Sequence, residues 1–425
     1  MLAKAFTLNI AVKIISAFLG LASIPLLIKS LGIESYGLWV TLTSIIGWLS
    51  ILDLGVGHAL KNTVSRAVAE NDFRQAQKES QQVFKLTFFI SLFAILLLLI
   101  STYYMDFLKN NKTIVLLIYI PVLLAFPLSM GAMIMQGARK MHIQSAIGLI
   151  APASVFFYVL FFVYFDMKMD FFAFAAYYTF IFVFMWCAYW FFASKEIYFT
   201  REFYAGILRA KIINNRLGVS LRFFILQVSS IILYGAGNFL VYNYSGAVEA
   251  AEYDTINKLY FFGLTVFNMA IAIFWPEITY SITKNEYSRA KKIYFVMLAL
   301  CFVFIFGSIV VSFYAVEIIN YWTSGEVQVD KVTPFYFALL VSIQALAYSG
   351  AVVLNALEKI TGQLILSVFS SVAMIPLFFY LHGNDYGVAS VPIAAALLTF
   401  VAMVYCNLSA ILNINKGLKG AANVN

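Results

Sequence analysis

Apolar residues in this chain do not alternate with polar ones but run in long blocks, separated by short polar intervals that are mostly basic. At the 1.5 Å rise of a helix, roughly 20 such residues cross a hydrocarbon layer of about 30 Å. Twelve blocks can be marked, at about 6–30, 36–60, 83–104, 113–138, 143–165, 171–193, 217–244, 252–276, 293–316, 333–357, 363–381 and 386–412. Each predicts a membrane-spanning helix. The first could imitate a secretory signal, but it is longer than the usual apolar core of one and no convincing small-residue cleavage site follows, so it is expected to remain as a span.

Composition agrees with the pattern. Hydrophobic residues make up 63% and charged residues 11%, against about a quarter charged in soluble domains. The fold class is therefore all-α, a polytopic membrane protein. The net charge of +8 could suggest nucleic acid, but the basic residues lie in short patches between spans, as the positive-inside rule produces, and no nucleic-acid motif accompanies them. Twenty-one Lys and Arg fall on the side of the amino terminus and five on the other, which predicts that both termini are cytoplasmic. The three cysteines, Cys187, Cys301 and Cys406, are widely spaced in apolar runs and suggest neither a disulfide framework nor a metal site.

A weak internal repeat divides the spans. Asn71 to Ala76 reappears as Asn285 to Ala290, offset by 214; Gln136 to Lys140, with Gln144, matches Asn355 to Lys359, with Gln363, offset by 219; and Tyr36 matches Tyr253 at 217. Three matches in the same order predict two pseudo-symmetric six-helix bundles around a central cavity, both entering the membrane in the same direction. The expected divisions are 1–193 for the first bundle, 194–216 for a cytoplasmic linker, 217–412 for the second bundle and 413–425 for a short cytoplasmic tail. In the linker, Phe199, Phe203, Ile207 and Lys211 recur at fourfold spacing, as in an amphipathic helix lying on anionic headgroups. Asp72 and Glu286 begin repeated helices and read as caps.

Ionisable residues inside spans are costly and mark function more often than surface ones do. If the first two spans form a hairpin turning near Ile33, Lys13 and Asp53 lie at one depth and could pair, although Lys13 could equally snorkel to the cytoplasmic surface and Asp53 could be a polar packing residue. His58 reads as interfacial. In the second half, Arg222 opens the seventh span and Lys258 lies two turns into the eighth, with Tyr234, Asn238, Tyr242, Asn243 and Asn257 nearby. Packing explains any one of these; together they suggest a hydrated face. The many Phe and Tyr residues read mostly as lipid-facing or interfacial.

The chain lacks the nucleotide-binding GxxxxGK[ST], and neither HExxH nor GxSxG occurs. Energy would come from an ion gradient, the membrane potential or the substrate's own gradient. The outer loops are short, unlike those expected of a membrane glycan polymerase.

The stretches ESYGLW and LDLGVGHALKNTVSRAVAENDFRQA, then YDTINKLY and FWPEITYSITKNEYSRAKK, with the RK and EK loops after the fourth and tenth spans, resemble the polysaccharide transporters of the Wzx type. These belong to the superfamily that includes the multidrug and toxic-compound extrusion carriers, and the resemblance covers essentially the whole chain. It implies a bacterial inner-membrane flippase, not an enzyme and without a cofactor. The implied cargo is undecaprenyl diphosphate bearing an O-antigen or capsule repeat unit, carried between leaflets by alternating access with or without ion coupling. Lys13, Lys61, Arg66, Arg139, Arg222 and Lys258 would then supply a cationic cavity for the diphosphate, and Asp53 would be the ion-coupling candidate. Tyr234, Asn238, Tyr242 and Asn257 would line the cavity. Membrane lipids surround such a protein, a glycan polymerase and a chain-length regulator are candidate partners, and a monomer suffices. The alternatives are a drug or small-solute antiporter of the same architecture and, further off, a glycan polymerase.

Overall fold

A computed structural model describes residues 2–53, 56–70, 72–210, 217–272, 274–357, 359 and 361–422. Among them the chain is helical and without strands: α1 (Leu2–Leu31), α2 (Ile33–Trp48), α3 (Val56–Glu70), α4 (Phe73–Tyr104), α5 (Asp106–Asn110), α6 (Lys112–Ala125), α7 (Met130–Gly137), α8 (Met141–Gly148), α9 (Ile150–Tyr164), α10 (Phe171–Glu196), α11 (Arg201–Arg209), α12 (Leu217–Ser230), α13 (Gly237–Tyr244), α14 (Ala247–Ala272), α15 (Phe274–Thr283), α16 (Tyr287–Trp322), α17 (Thr333–Ala356), α18 (Thr361–His382) and α19 (Ser390–Ala422). Nine segments of the described residues are long and apolar enough to cross a membrane, and a tenth joins them if the bent pair Phe224–Gly235 and Gly237–Tyr244 is one span. The other two expected spans are real helical stretches that fail that test for local reasons. The second is not one helix: α2 ends at Trp48, and a tight 3-10 turn over Leu49–Asp53 precedes α3. The eighth, α14, carries Glu249, Glu252, Asp254 and Lys258, and Asn257 and Asn268 lower the hydropathy of what remains.

The chain divides into two compact units, Met1–Ser35 with Ile45–Gln227, and Tyr36–Ser44 with Val228–Asn425. The segment Tyr36–Ser44 thus leaves the sequence half that contains it. In the first unit α10 lies along α6 and α7, α3 along α4 and α7, and α1 along α8 and α9. Trp186 and Trp190 of α10 fill the space beside Phe126 and Phe84, with ring centroids 6.0 and 4.9 Å away.

The linker helix α11 is fastened to α4. Gln77 Nε2 donates to the carbonyls of Ile197 (2.9 Å) and Tyr198 (2.7 Å), Gln81 Nε2 to that of Phe203 (2.8 Å) and Lys85 Nζ to that of Ala210 (3.0 Å). Phe203 is buried and stacks on Phe199 at 3.6 Å, so this part of the apolar face packs on protein rather than on headgroups; Lys211 lies outside the described residues. Asp72 caps α4, accepting from Gln75 N at 3.2 Å. Glu286 makes no such bond at the start of α16; its carboxylate turns to Arg289 at 3.4 Å, which also meets Glu277 at 2.9 Å.

In the second unit α17 packs closely along α19. Small buried residues, Ala338, Ser342, Ala345 and Ser349 on one and Ala394, Ala395 and Ala396 on the other, allow two backbones to approach where lipid offers no hydrophobic drive for association. Polar side chains stitch these two helices to each other and to α16: Asn407 Nδ2 of α19 donates to the Leu346 carbonyl of α17 at 3.0 Å, Tyr294 of α16 donates to Asn407 Oδ1 at 2.6 Å, and the Ser308 hydroxyl of α16 meets that of Ser342 of α17 at 3.0 Å.

Candidate functional site

Among the described residues of the second unit, a dense polar arrangement is centred on Asp254, one turn before Lys258 on α14. An (i, i+4) spacing places both on one helix face, and Lys258 Nζ lies 2.6 Å from Asp254 Oδ2. The Tyr36 hydroxyl donates to the same oxygen at 2.7 Å, and Asn238 Nδ2 donates to Oδ1 at 3.1 Å. Lys258 Nζ also reaches the Tyr36 hydroxyl at 3.4 Å. The carboxylate side chain is 4% exposed and the lysine side chain 40%. Three donors therefore hold a buried anion, while its cationic partner keeps a face open.

Backbone geometry assembles this cluster. Gly37 sits against the Ala247 carbonyl, where an added Cβ would lie 1.8 Å from the oxygen. Thr41 Oγ1 lies 3.4 Å from the Asn238 carbonyl, so the segment Tyr36–Ser44 is held along α13 and the start of α14. A Cβ on Gly237 would lie 2.0 Å from the Tyr253 hydroxyl, so only glycine lets Asn238, its neighbour, come this close to α14. Between α12 and α13 the chain widens into a π turn over Ile231–Gly235 and bends by 44°, a feature frequent at functional sites. Tyr234 in that turn meets Thr399 Oγ1 at 2.8 Å.

The structure brings Asn238 and Lys258 together, with Tyr36 and Asp254 added, and places Tyr234 one turn before Asn238. Tyr242 is half-buried on α13; Asn257 is half-buried and its Oδ1 is shut from water without a partner. In the first unit Asp53 is buried in the 3-10 turn, its Oδ2 against Gly57. Lys13 is exposed on α1, and no Lys13–Asp53 ion pair occurs among the described residues. Lys61 is half-buried on α3; Arg139 is exposed, in a left-handed turn at φ 61°. The side chains of Arg66, Arg222 and His58 lie outside the described residues.

Asp254 was missed by sequence reasoning. The signal was present, since an acid four residues before a lysine within an apolar run meets the rule that singled out Asp53. Tyr36 could not have been found that way, because its hydroxyl partner lies 218 positions away.

Compared with solved structures, the chain superposes on an inward-facing MATE-family multidrug resistance transporter of the MOP superfamily with a TM-score of 0.69, covering 95% of this chain and 96% of that one at 12% identity. An outward-facing conformation of a MATE-family multidrug resistance transporter gives 0.58, over 98% and 95%, at 13% identity. This is the MATE transporter fold. In sequence the MATE-like chain is similar to a Yersinia pseudotuberculosis protein carrying the name O-antigen export protein, 33% identical over 107 residues, 24% of each chain. It is also similar to a Salmonella typhimurium protein named as an O-antigen transporter, 38% identical over 97 residues, 22% of this chain and 23% of the relative. The aligned part thus spans about a quarter of those relatives' own length. No family model matches the chain.

Proposed function

We propose that this multi-pass membrane protein is a flippase, moving undecaprenyl-diphosphate-linked oligosaccharide from the cytoplasmic to the periplasmic leaflet by alternating access of its two halves. One observation carries the reading: Tyr36 of ESYGLW and Asp254 and Lys258 of YDTINKLY, stretches through which the chain resembles the polysaccharide transporters, meet in a single buried charge cluster. The relatives named for O-antigen transport support it from sequence.

Chemically, Lys258 is held in place by Asp254 and Tyr36 while part of its side chain stays open, so a phosphate oxygen can come to share the ammonium without the lysine first being ordered. Lys13, Lys61, Arg66, Arg139 and Arg222 are the remaining candidate cations for the diphosphate, and Asp53 and Asp254 the candidate ion-coupling carboxylates. Moving a negative charge outward across an interior-negative membrane is favourable by about 2.3 kcal/mol per 100 mV if it crosses the whole field. The membrane potential alone can therefore drive a doubly charged head outward.

The test is complementation of a bacterial strain lacking its own flippase, read as surface glycan. The wild type is expected to restore export, and Lys258→Ala, Asp254→Ala and Tyr36→Phe to weaken it, with Lys13→Ala and Arg222→Ala as further probes. Restored resistance to cationic drugs without restored glycan would replace this reading with the drug antiporter.

A further inference from the structure

Beyond the charge cluster, the second unit holds a chamber of about 370 Å³, within the range of about 300–1,000 Å³ usual for small-molecule sites. It is lined by five elements: the π turn (Tyr234), α14 (Phe261, Asn268), α17 (Gln344, Ala347, Tyr348), α18 (Gln363) and α19. None of these residues is charged. Three are carboxamides, Asn268, Gln344 and Gln363; each has an unpartnered atom, Asn268 Oδ1, Gln344 Oε1 and Gln363 Nε2, that lies out of reach of water and meets a ligand only when the amide turns.

That lining selects its ligand by exclusion. An ionised group entering it would lose hydration with no opposite charge to replace it. A hydrocarbon would cover the carboxamides and leave their donors and acceptors unmade. What fits is an uncharged ring rich in hydroxyls, whose groups donate and accept at once as carboxamides do, with a face to lay on the Tyr348 or Phe261 ring. The placement agrees. Asp254, Lys258, Phe261, Thr265 and Asn268 recur at spacings of four, three, four and three on α14, a single stripe, so the cationic end and the carboxamide end are about 15 Å apart along the helix at 1.5 Å per residue.

We infer that this chamber is a subsite for a neutral sugar ring of the carried glycan, beyond the ring joined to the diphosphate, and that Asn268, Gln344 and Gln363 select which sugar is accepted. The inference rests on the flippase reading, and its test is separable from it. Purified full-length protein in micelles is mixed in sodium-free buffer with galactose, glucose, mannose, rhamnose or N-acetylglucosamine at millimolar concentration, and saturation-transfer NMR reads binding. At least one sugar is expected to bind. Gln344→Leu with Gln363→Leu should weaken that binding at least tenfold, and Ala347→Phe, which fills the chamber and leaves the carboxamides in place, should weaken it as much; gel filtration and melting confirm that both variants fold. Binding in the absence of complementation, in a host whose glycan contains the sugar bound, leaves the chamber standing and removes the flippase reading. Complementation with no sugar of the panel bound, or with binding unchanged in both folded variants, overturns the chamber. So does a sodium-23 relaxation signal that the Gln variants abolish while every sugar stays silent, which would make the site a cation site.

Discussion

The charge cluster predicts an asymmetry between its two halves. Lys258→Met leaves the Asp254 carboxylate, 4% exposed, facing only the neutral donors Tyr36 and Asn238. Breaking a buried pair from this side costs about 3–5 kcal/mol, because an uncompensated charge stays inside. Asp254→Asn keeps the shape and offers the Tyr36 hydroxyl an acceptor still. It strands only a lysine whose side chain is 40% exposed and is not walled in by protein, so the loss should stay near that of a neutral hydrogen bond, about 0.5–1.5 kcal/mol. With its segments Tyr36–Ser44 and Val228–Asn425, the second unit falls in the 150–250-residue class, where each kcal/mol moves Tm by about 2–4 °C. Thermal melting of the purified protein should therefore drop by about 6–20 °C for Lys258→Met and by no more than about 6 °C for Asp254→Asn. The double variant should recover most of the difference, since the buried charge is gone. Equal losses in the two single variants, or a larger loss for Asp254→Asn, would refute the reasoning, because burial would then not decide which partner matters.

Three further outcomes follow from the packing. Gly37→Ala drives a Cβ into the Ala247 carbonyl and should cost about 1–3 kcal/mol or more as overpacking. Gly47→Ala, with nothing within 4 Å of the added atom, should be neutral or stabilising by up to about 1 kcal/mol; melting compares the two. Asp72→Ala should lower stability by about 0.5–2 kcal/mol as a lost cap, whereas Glu286→Ala, which removes only an exposed ion pair, should change it by less than about 1 kcal/mol. Gln77→Leu with Gln81→Leu removes three bonds to the linker carbonyls and should speed trypsin cleavage at Arg201 and Arg209 severalfold; an unchanged digestion rate would mean that the Phe203 packing and the Lys85 bond to the Ala210 carbonyl suffice to hold α11.

The membrane class and most of the spans were legible in the chain because hydropathy is summed over neighbours, and a window of some twenty residues contains all it needs. The cap at Asp72 was legible for the same reason, being settled within one turn. Where a local feature depended on a partner, reading failed: Glu286 has the same place in its repeat as Asp72, yet Arg289 draws its carboxylate away from the backbone. The break at Leu49–Asp53 escaped because an apolar run of the right length looks the same whether its helix is continuous or interrupted.

The candidate site is divided along the same line. Sequence alone determined that Asn238 and Lys258 were polar residues out of place in apolar surroundings. Only tertiary structure decided that Tyr36 would leave its own sequence half, that it would meet Asp254 and Lys258 there, and that Tyr234, Asn268, Gln344 and Gln363 would share one chamber. Hydropathy belongs to each residue, but a hydrogen bond belongs to a pair, and these pairs are closed by backbone approaches such as Gly37 on Ala247 that no local window contains.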